Sequence, residues 1–259
     1  MNNDQKAFRD GCFAHGFSNP APHYYARCIG DGVFQTLYTG FTQYVDVQSP
    51  YYSAKKRKDN YISIGLRSMY TRWPEIIFIP GRNCGGYLPA DLLGCATASF
   101  NGIGEQYAQM LEKGLFVLDE IDTQEKMLKM RNDVMMTNMH SRIHSFDLVA
   151  PYLVCGQIDD AFFEIDHQYT HAMVGFFKTH DHVLGAGAAG EYIDELQSLR
   201  NRLGEATDLW TALIANEYSF IHKYLQKNFE CNTALAQKYG IPLSPDFHMR
   251  TAALPGNIH

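Results

Sequence analysis

The sequence predicts an α+β fold: an N-terminal helix and an antiparallel sheet, followed by a mostly α-helical region. Eight of the 16 tyrosines lie between Tyr24 and Tyr70, and such aromatic density suits pleated, half-buried strands. Apolar residues alternate with period two over the same stretch. Beyond Asp122 they recur at three- and four-residue steps until the tail, the signature of amphipathic helices. These observations divide the chain into a sheet domain, 1–118, and a helical region with an irregular tail, 119–259.

Residues 4–15 form a short amphipathic helix with Phe8, Cys12 and Phe13 inward. In "HYYARCIGDGVFQTLYTGF" the triplet Gly30, Asp31, Gly32 separates two aromatic and β-branched runs, the composition of a hairpin turn. "FTQYVDVQ" continues the alternation. The basic run "KKRK", Lys55 to Lys58, falls in a loop, where charge also discourages edge-to-edge strand pairing. "YISIGLRSMY" places Ile62, Ile64 and Leu66 on one face and Ser63, Gly65 and Arg67 on the other, so one face is expected buried and the other partly wet. "IIFIP" is a further apolar run, a glycine-bearing loop follows it, and Gly102 to Gly114 reads as helix.

Asp122 and Glu125 in "DTQE" fit a capping box opening a helix through Met127, Met130 and Val134. Five methionines between Met127 and Met139 fill core gaps. Residues 158–178 give the clearest helix, with Ile158, Ala161, Phe162, Ile165, Tyr169, Ala172, Met173 and Phe176 on one side. A second pattern runs from Glu191 to Leu225, with Gly204 as its break. The tail from Gly240 has no period and three prolines, and reads as loop or as a strap over the surface.

The formal charge is −6, and all of it lies in 151–259, where 13 acids face seven bases. That balance argues against a broad nucleic-acid surface, which needs clustered Lys and Arg. No window approaches the ~18 apolar residues of a membrane span. The six cysteines have neither the density nor the pairing of a disulfide framework, and the first residues lack the pattern of a signal peptide. These features point to a cytoplasmic protein with reduced thiols.

Gly185 to Gly190, "GAGAAG", matches GxGxxG. A dinucleotide fingerprint needs a buried strand before it and a parallel strand after it. "KTHDHVL" is a poor strand and the pattern beyond stays helical, so the stretch reads as a joint between helices. Asp160, Glu164, His167 and His171 fall in one narrow stripe of the 158–178 helix. The stripe is expected to face water, opposite the apolar side. Alternatively Glu164, His167 and His171 ligate a divalent transition metal, with Asp160 orienting an imidazole and His180 and His182 close by. His140 and His144 repeat the helical spacing. Cys12, His15, His23 and Cys28 have zinc-ligand chemistry without a zinc-finger spacing. Cys84 in "NCGGY" has flanking glycines but no identifiable base.

From Phe13 to Tyr70, "HGF", "YYARCIGDGVFQ" and "NYISIGLRSMY" resemble a group of uncharacterised bacterial α+β domains associated with polymorphic-toxin immunity proteins. Gly16, Phe17, Tyr25, Arg27, Gly30, Asp31, Val33, Gln35 and Gly65 carry the resemblance, which implies a binding role. The leading expectation is a non-enzymatic, immunity-like protein without a cofactor, holding a basic protein partner on its Tyr-rich sheet face or acidic helical region. The alternative is a metal-dependent, hydrolase-like enzyme using the Glu164, His167, His171 stripe.

Overall fold

The computed structural model describes residues 3–45, 56–73, 96–102, 111–112, 115, 118–137, 148–186 and 189–255. The "IIFIP" run, Cys84 and its loop, most of the expected 102–114 helix, His140 and His144 lie outside the described residues. Helix α1 (Asn3–Ala14) leads into strands β1 (Ser18–Ala21), β2 (Tyr24–Ile29), β3 (Val33–Val45), β4 (Lys56–Ser68) and β5 (Ala96–Gly102). Helices α2 (Gln124–Thr137), α3 (Val149–Val154), α4 (Ile158–Ala186), α5 (Ala189–Ile214) and α6 (Tyr218–Lys238) follow. The fold is α+β, and the strands form one antiparallel sheet in chain order, β1 to β5.

β2 and β3 form the expected hairpin, with Ile29 opposite Val33 across the Gly30, Asp31, Gly32 turn. β3 is one continuous strand, paired with β4 from Val33↔Ser68 to Val45↔Lys56. Lys56, Arg57 and Lys58 therefore belong to β4 and not to a loop, because ladder bonds to Val45, Tyr44 and Gln43 carry the pairing past the apolar run. β5 escaped the sequence reading, since "ATASFNG" lacks the bulky alternation that announces a strand.

The hairpin is buried on both faces, not on one. On one side Phe8 of α1 meets Tyr25 edge-on, ring centroids 5.3 Å apart, while Ala26, Cys28 and Phe34, which point the other way, are fully buried. Burial reaches Gly65, Arg67 and Ser68 at the end of β4. Phe13 is exposed instead of inward, with the Arg9 guanidinium 5.8 Å from its ring centre.

Two of the buried charges, Arg27 and Asp31, organise this layer. Arg27 donates from Nε to Gln35 Oε1 (2.8 Å), from Nη1 to the His15 carbonyl (2.5 Å) and from Nη2 to Asp119 Oδ1 (2.7 Å), and lies 4.3 Å from the Phe17 ring centre. Gln35 Nε2 donates onward to the carbonyls of Leu118 and Ile121, both at 2.7 Å. A buried guanidinium needs all its donors engaged, and here that requirement ties α1, β2, β3 and the approach to α2 together.

Asp31, at the hairpin tip, is the other charge. Its Oδ1 accepts the N–H of Gln124 (2.8 Å), its N–H donates to the Asp122 carbonyl (3.1 Å), and Gln124 Nε2 donates back to the carbonyls of Asp31 (3.3 Å) and Gly32 (3.0 Å). The carboxylate thus satisfies an orphan donor at the start of α2, where the helix dipole favours an anion. Asp122 is not the cap expected from sequence. Thr123 Oγ1 takes the Lys126 N–H (3.3 Å), Asp122 pairs with Lys126 Nζ (2.6 Å), and Glu125 binds Arg250 instead of reaching back.

The tail is a strap, as its composition suggested. Cys28 donates to the Pro242 carbonyl and Ser244 donates to the Cys28 carbonyl, both at 2.9 Å, a short parallel bridge on β2 beyond the reach of β1. His248 then donates to the Gly30 carbonyl (2.9 Å), and Arg250 Nη1 reaches Asp31 Oδ2 (3.3 Å) and Glu125. α6 packs behind: Asn232 Nδ2 donates to the carbonyls of Met69 (2.8 Å) and Thr71 (2.6 Å), and Phe229 contacts both Tyr70 and Phe247. One apolar cluster joins residues of the sheet, α1 to α6 and the strap.

The hairpin tip predicts a contrast between two glycines. Gly30 has φ +56, and a Cβ there would lie 1.7 Å from the Asp122 carbonyl oxygen; Gly16 has φ +76 with nothing within 4 Å. Gly16→Ala is expected to cost about 1 kcal/mol of backbone strain. Gly30→Ala adds a backbone clash and should cost at least about 3 kcal/mol, read by urea denaturation. Equal costs would show that the tip yields easily.

Glu125 and Asp31 titrate in opposite senses. Burial works against the Glu125 carboxylate, but the hydrogen bond and charge of Arg250, with a backbone hydrogen bond and one from Cys155, together outweigh it and hold Glu125 below its ordinary range. For Asp31 burial dominates and raises it despite Arg250 and the Gln124 N–H. A depressed acid stabilises above its unfolded pKa and loses that contribution as pH falls through its folded value. Glu125→Gln is therefore expected to lower the melting temperature at neutral pH, with the gap closing as pH drops through the glutamate range. A gap that widens on acidification would contradict this.

Candidate functional site

α4 and α5 form a long antiparallel pair. Phe162 stacks on Trp210 (6.2 Å) near one end, and a Cβ on Gly175 would sit 3.6 Å from Leu199 further along. The GAGAAG stretch spans the end of α4 and the start of α5, with a helix and not a strand before it, so it lacks the dinucleotide-site context. α4 runs further than expected, to Ala186. Gly204 does not break α5; the break falls at 215–217, where Asn216 takes φ +56.

The predicted stripe does not lie on a single solvated face. Asp160 is exposed and His167 half-buried, whereas Glu164 is only 4% exposed. His171 lies on α4, with its side chain outside the described residues. Glu164 turns inward because the start of α4 packs against both α3 and α5, which widens the covered arc beyond what one apolar stripe indicates. Ala161 and Ile165 are fully buried, but Tyr169, counted on the apolar side, is 40% exposed.

Other candidates are spread apart. His15 Nδ1 pairs with Asp119 Oδ2 (3.0 Å), and His23 Nδ1 meets Thr39 Oγ1 (3.2 Å) in a turn of positive φ. Cys12 and Cys28 are buried, and burial pushes the Cys12 thiol up to about 12 and Cys28 upward too. Both thiols pack as small hydrophobes within the apolar cluster. Among the described residues no three His, Cys, Asp or Glu side chains gather into a metal-binding group. His180 is exposed and stacks on Phe176 (6.0 Å).

An aromatic face on α4 was missed. Phe163 (61%), Val174 (49%) and Phe177 (55%) are strongly exposed, and at ~100° per residue they share a ~60° arc extending ~21 Å along the helix. Asp159, Asp160 and Asp166, all exposed, surround Phe163 within one turn. Trp210 (42%) and Ile214 (56%) add exposed apolar surface at the same end of the pair. Phe163 and Phe177 fall outside the apolar stripe in sequence, and that misplacement was the available signal.

Comparison of the chain with protein-family models, with curated proteins and with solved structures finds no match. Among the described residues no helix is long and apolar enough to cross a membrane.

Glu164 and Asp160 should respond differently to the same change. Asp160→Lys is expected to shift stability by less than about 0.5 kcal/mol, whereas Glu164→Lys places a cation in a packed site and should cost at least about 3 kcal/mol. Thermal denaturation checks both, and equal effects would return Glu164 to the solvated face.

Proposed function

We propose that this is a non-enzymatic binding protein of immunity-like type, which holds a basic protein partner on the outer face of α4. The observation that carries this reading is Phe163, 61% exposed and ringed by Asp159, Asp160 and Asp166. An exposed aromatic with a single-sign polar rim is how an interface anchor is built: the ring supplies contact area and the carboxylates steer the partner. The acidic balance of 151–259 extends the same field.

The test is isolation of the tagged full chain from its native cells, followed by affinity measurement on any stoichiometric protein recovered. Phe163→Ser is expected to weaken that complex about thirtyfold, a loss of ~2 kcal/mol. Asp160→Lys with Asp166→Lys should slow association and flatten its salt dependence. Absence of a stoichiometric partner, or a complex indifferent to both changes, sinks the reading.

The burial of Glu164 one turn from His167 supports a second reading, a divalent transition metal held by Glu164, His167 and His171 in a hydrolase-like enzyme. Buried carboxylates are paired or ligate metals. Elemental analysis decides it: stoichiometric metal lost in His167→Ala supports the reading, and metal-free protein that takes up no zinc, manganese or iron ends it.

A further inference from the structure

α5 and α6 flank an open cleft of about 420 Å³, lined by Arg72, Arg200, Glu205, Asp208, Phe220 and Tyr224 among others. Its size falls within the range of small-molecule sites. Arg200 is one of only seven bases in the acidic second part of the chain, and Arg72 reaches it from beyond the end of β4. Bringing two guanidiniums to one cleft favours an anion, which Arg binds through paired N–H donors.

The rest of the lining narrows the ligand further. Tyr224 Oη donates to Glu205 Oε1 at 2.5 Å. Burial raises the Glu205 carboxyl, while the Tyr224 hydrogen bond, Arg72 and Arg202 pull it down. Glu205 and Asp208 can accept hydrogen bonds from a ligand but repel a bare anion, so the ligand must carry donors as well as negative charge. Phe220, 41% exposed, supplies an aromatic wall. Arg200, Gly204 and Asp208 form one row along α5 at i, i+4 and i+8, and a Cβ on Gly204 would meet nothing within 4 Å. That glycine keeps the middle of the row open.

We propose that the cleft binds a small anion bearing hydroxyl groups and a flat ring, of the nucleoside monophosphate type. Arg72 and Arg200 take the phosphate, Phe220 flanks the ring, and Glu205 and Asp208 accept from the hydroxyl or amino groups. The site is separate from the α4 face and does not depend on the protein-binding reading.

Titration calorimetry on the full chain tests this, with AMP and inorganic phosphate as probes. AMP is expected to bind at one site, at least about tenfold tighter than phosphate. Gly204→Leu, which fills open space and favours helix, and the exposed-site change Arg200→Gln should each weaken AMP at least about tenfold. Circular dichroism confirms that both variants stay folded. Absence of saturable AMP binding, affinity unchanged in both variants, or phosphate binding as tight as AMP would each overturn the assignment.

Discussion

A carboxylate withdrawn from water at the tip of a three-residue turn is the constraint around which the other elements are placed. Asp31 is 3% exposed, and leaving a buried charge unpaired costs several kcal/mol. Its partners come from distant segments, the Gln124 N–H and the Arg250 guanidinium. Meeting that demand fixes where α2 begins and where the strap lies. Gln124 completes the arrangement by donating its side-chain amide back to the turn, so turn and helix start satisfy each other's orphan groups. Arg27, four residues earlier, imposes the same discipline toward α1 and Asp119.

Local chemistry in the sequence foretold much of this. The Gly30, Asp31, Gly32 turn, the amphipathic period of α4 and the aperiodic strap were all legible, because glycine conformations, apolar spacing and proline act over a few residues. Features set by neighbours were not. The burial of Glu164 depends on α3 and α5 closing from two sides. The inclusion of Lys56 to Lys58 in β4 depends on the partner strand, and the shift of the cap from Asp122 to Thr123 depends on Asp31 and Arg250 arriving from elsewhere. Gly204 looked like a helix break, yet helix formers around it carry α5 through, and the break falls where Asn216 adopts a left-handed conformation.

The helical pair shows why an amphipathic pattern is an incomplete guide to a binding face. Near α3, Ala161 and Ile165 on the inner side of α4 are fully buried; farther on, Ala172, Met173 and Phe176 are only half-covered. The outer residues Phe163, Val174 and Phe177 leave about half or more of their surface open, although the Phe177 ring also meets Phe176 edge-on. Apolar surface left open in this way is unfavourable in water, and covering it would recover that free energy.

The strap has a consequence for how the chain matures. Cys28 finds its partners at Pro242 and Ser244, and Tyr70 meets Arg250 through its hydroxyl. On a ribosome the hairpin emerges long before these partners do. The outer-edge N–H and C=O of Cys28, on the side of β2 away from β3, must therefore wait unclaimed until more than two hundred further residues have been made. During that interval they offer a template for pairing with another nascent chain, the hazard of long-range topology.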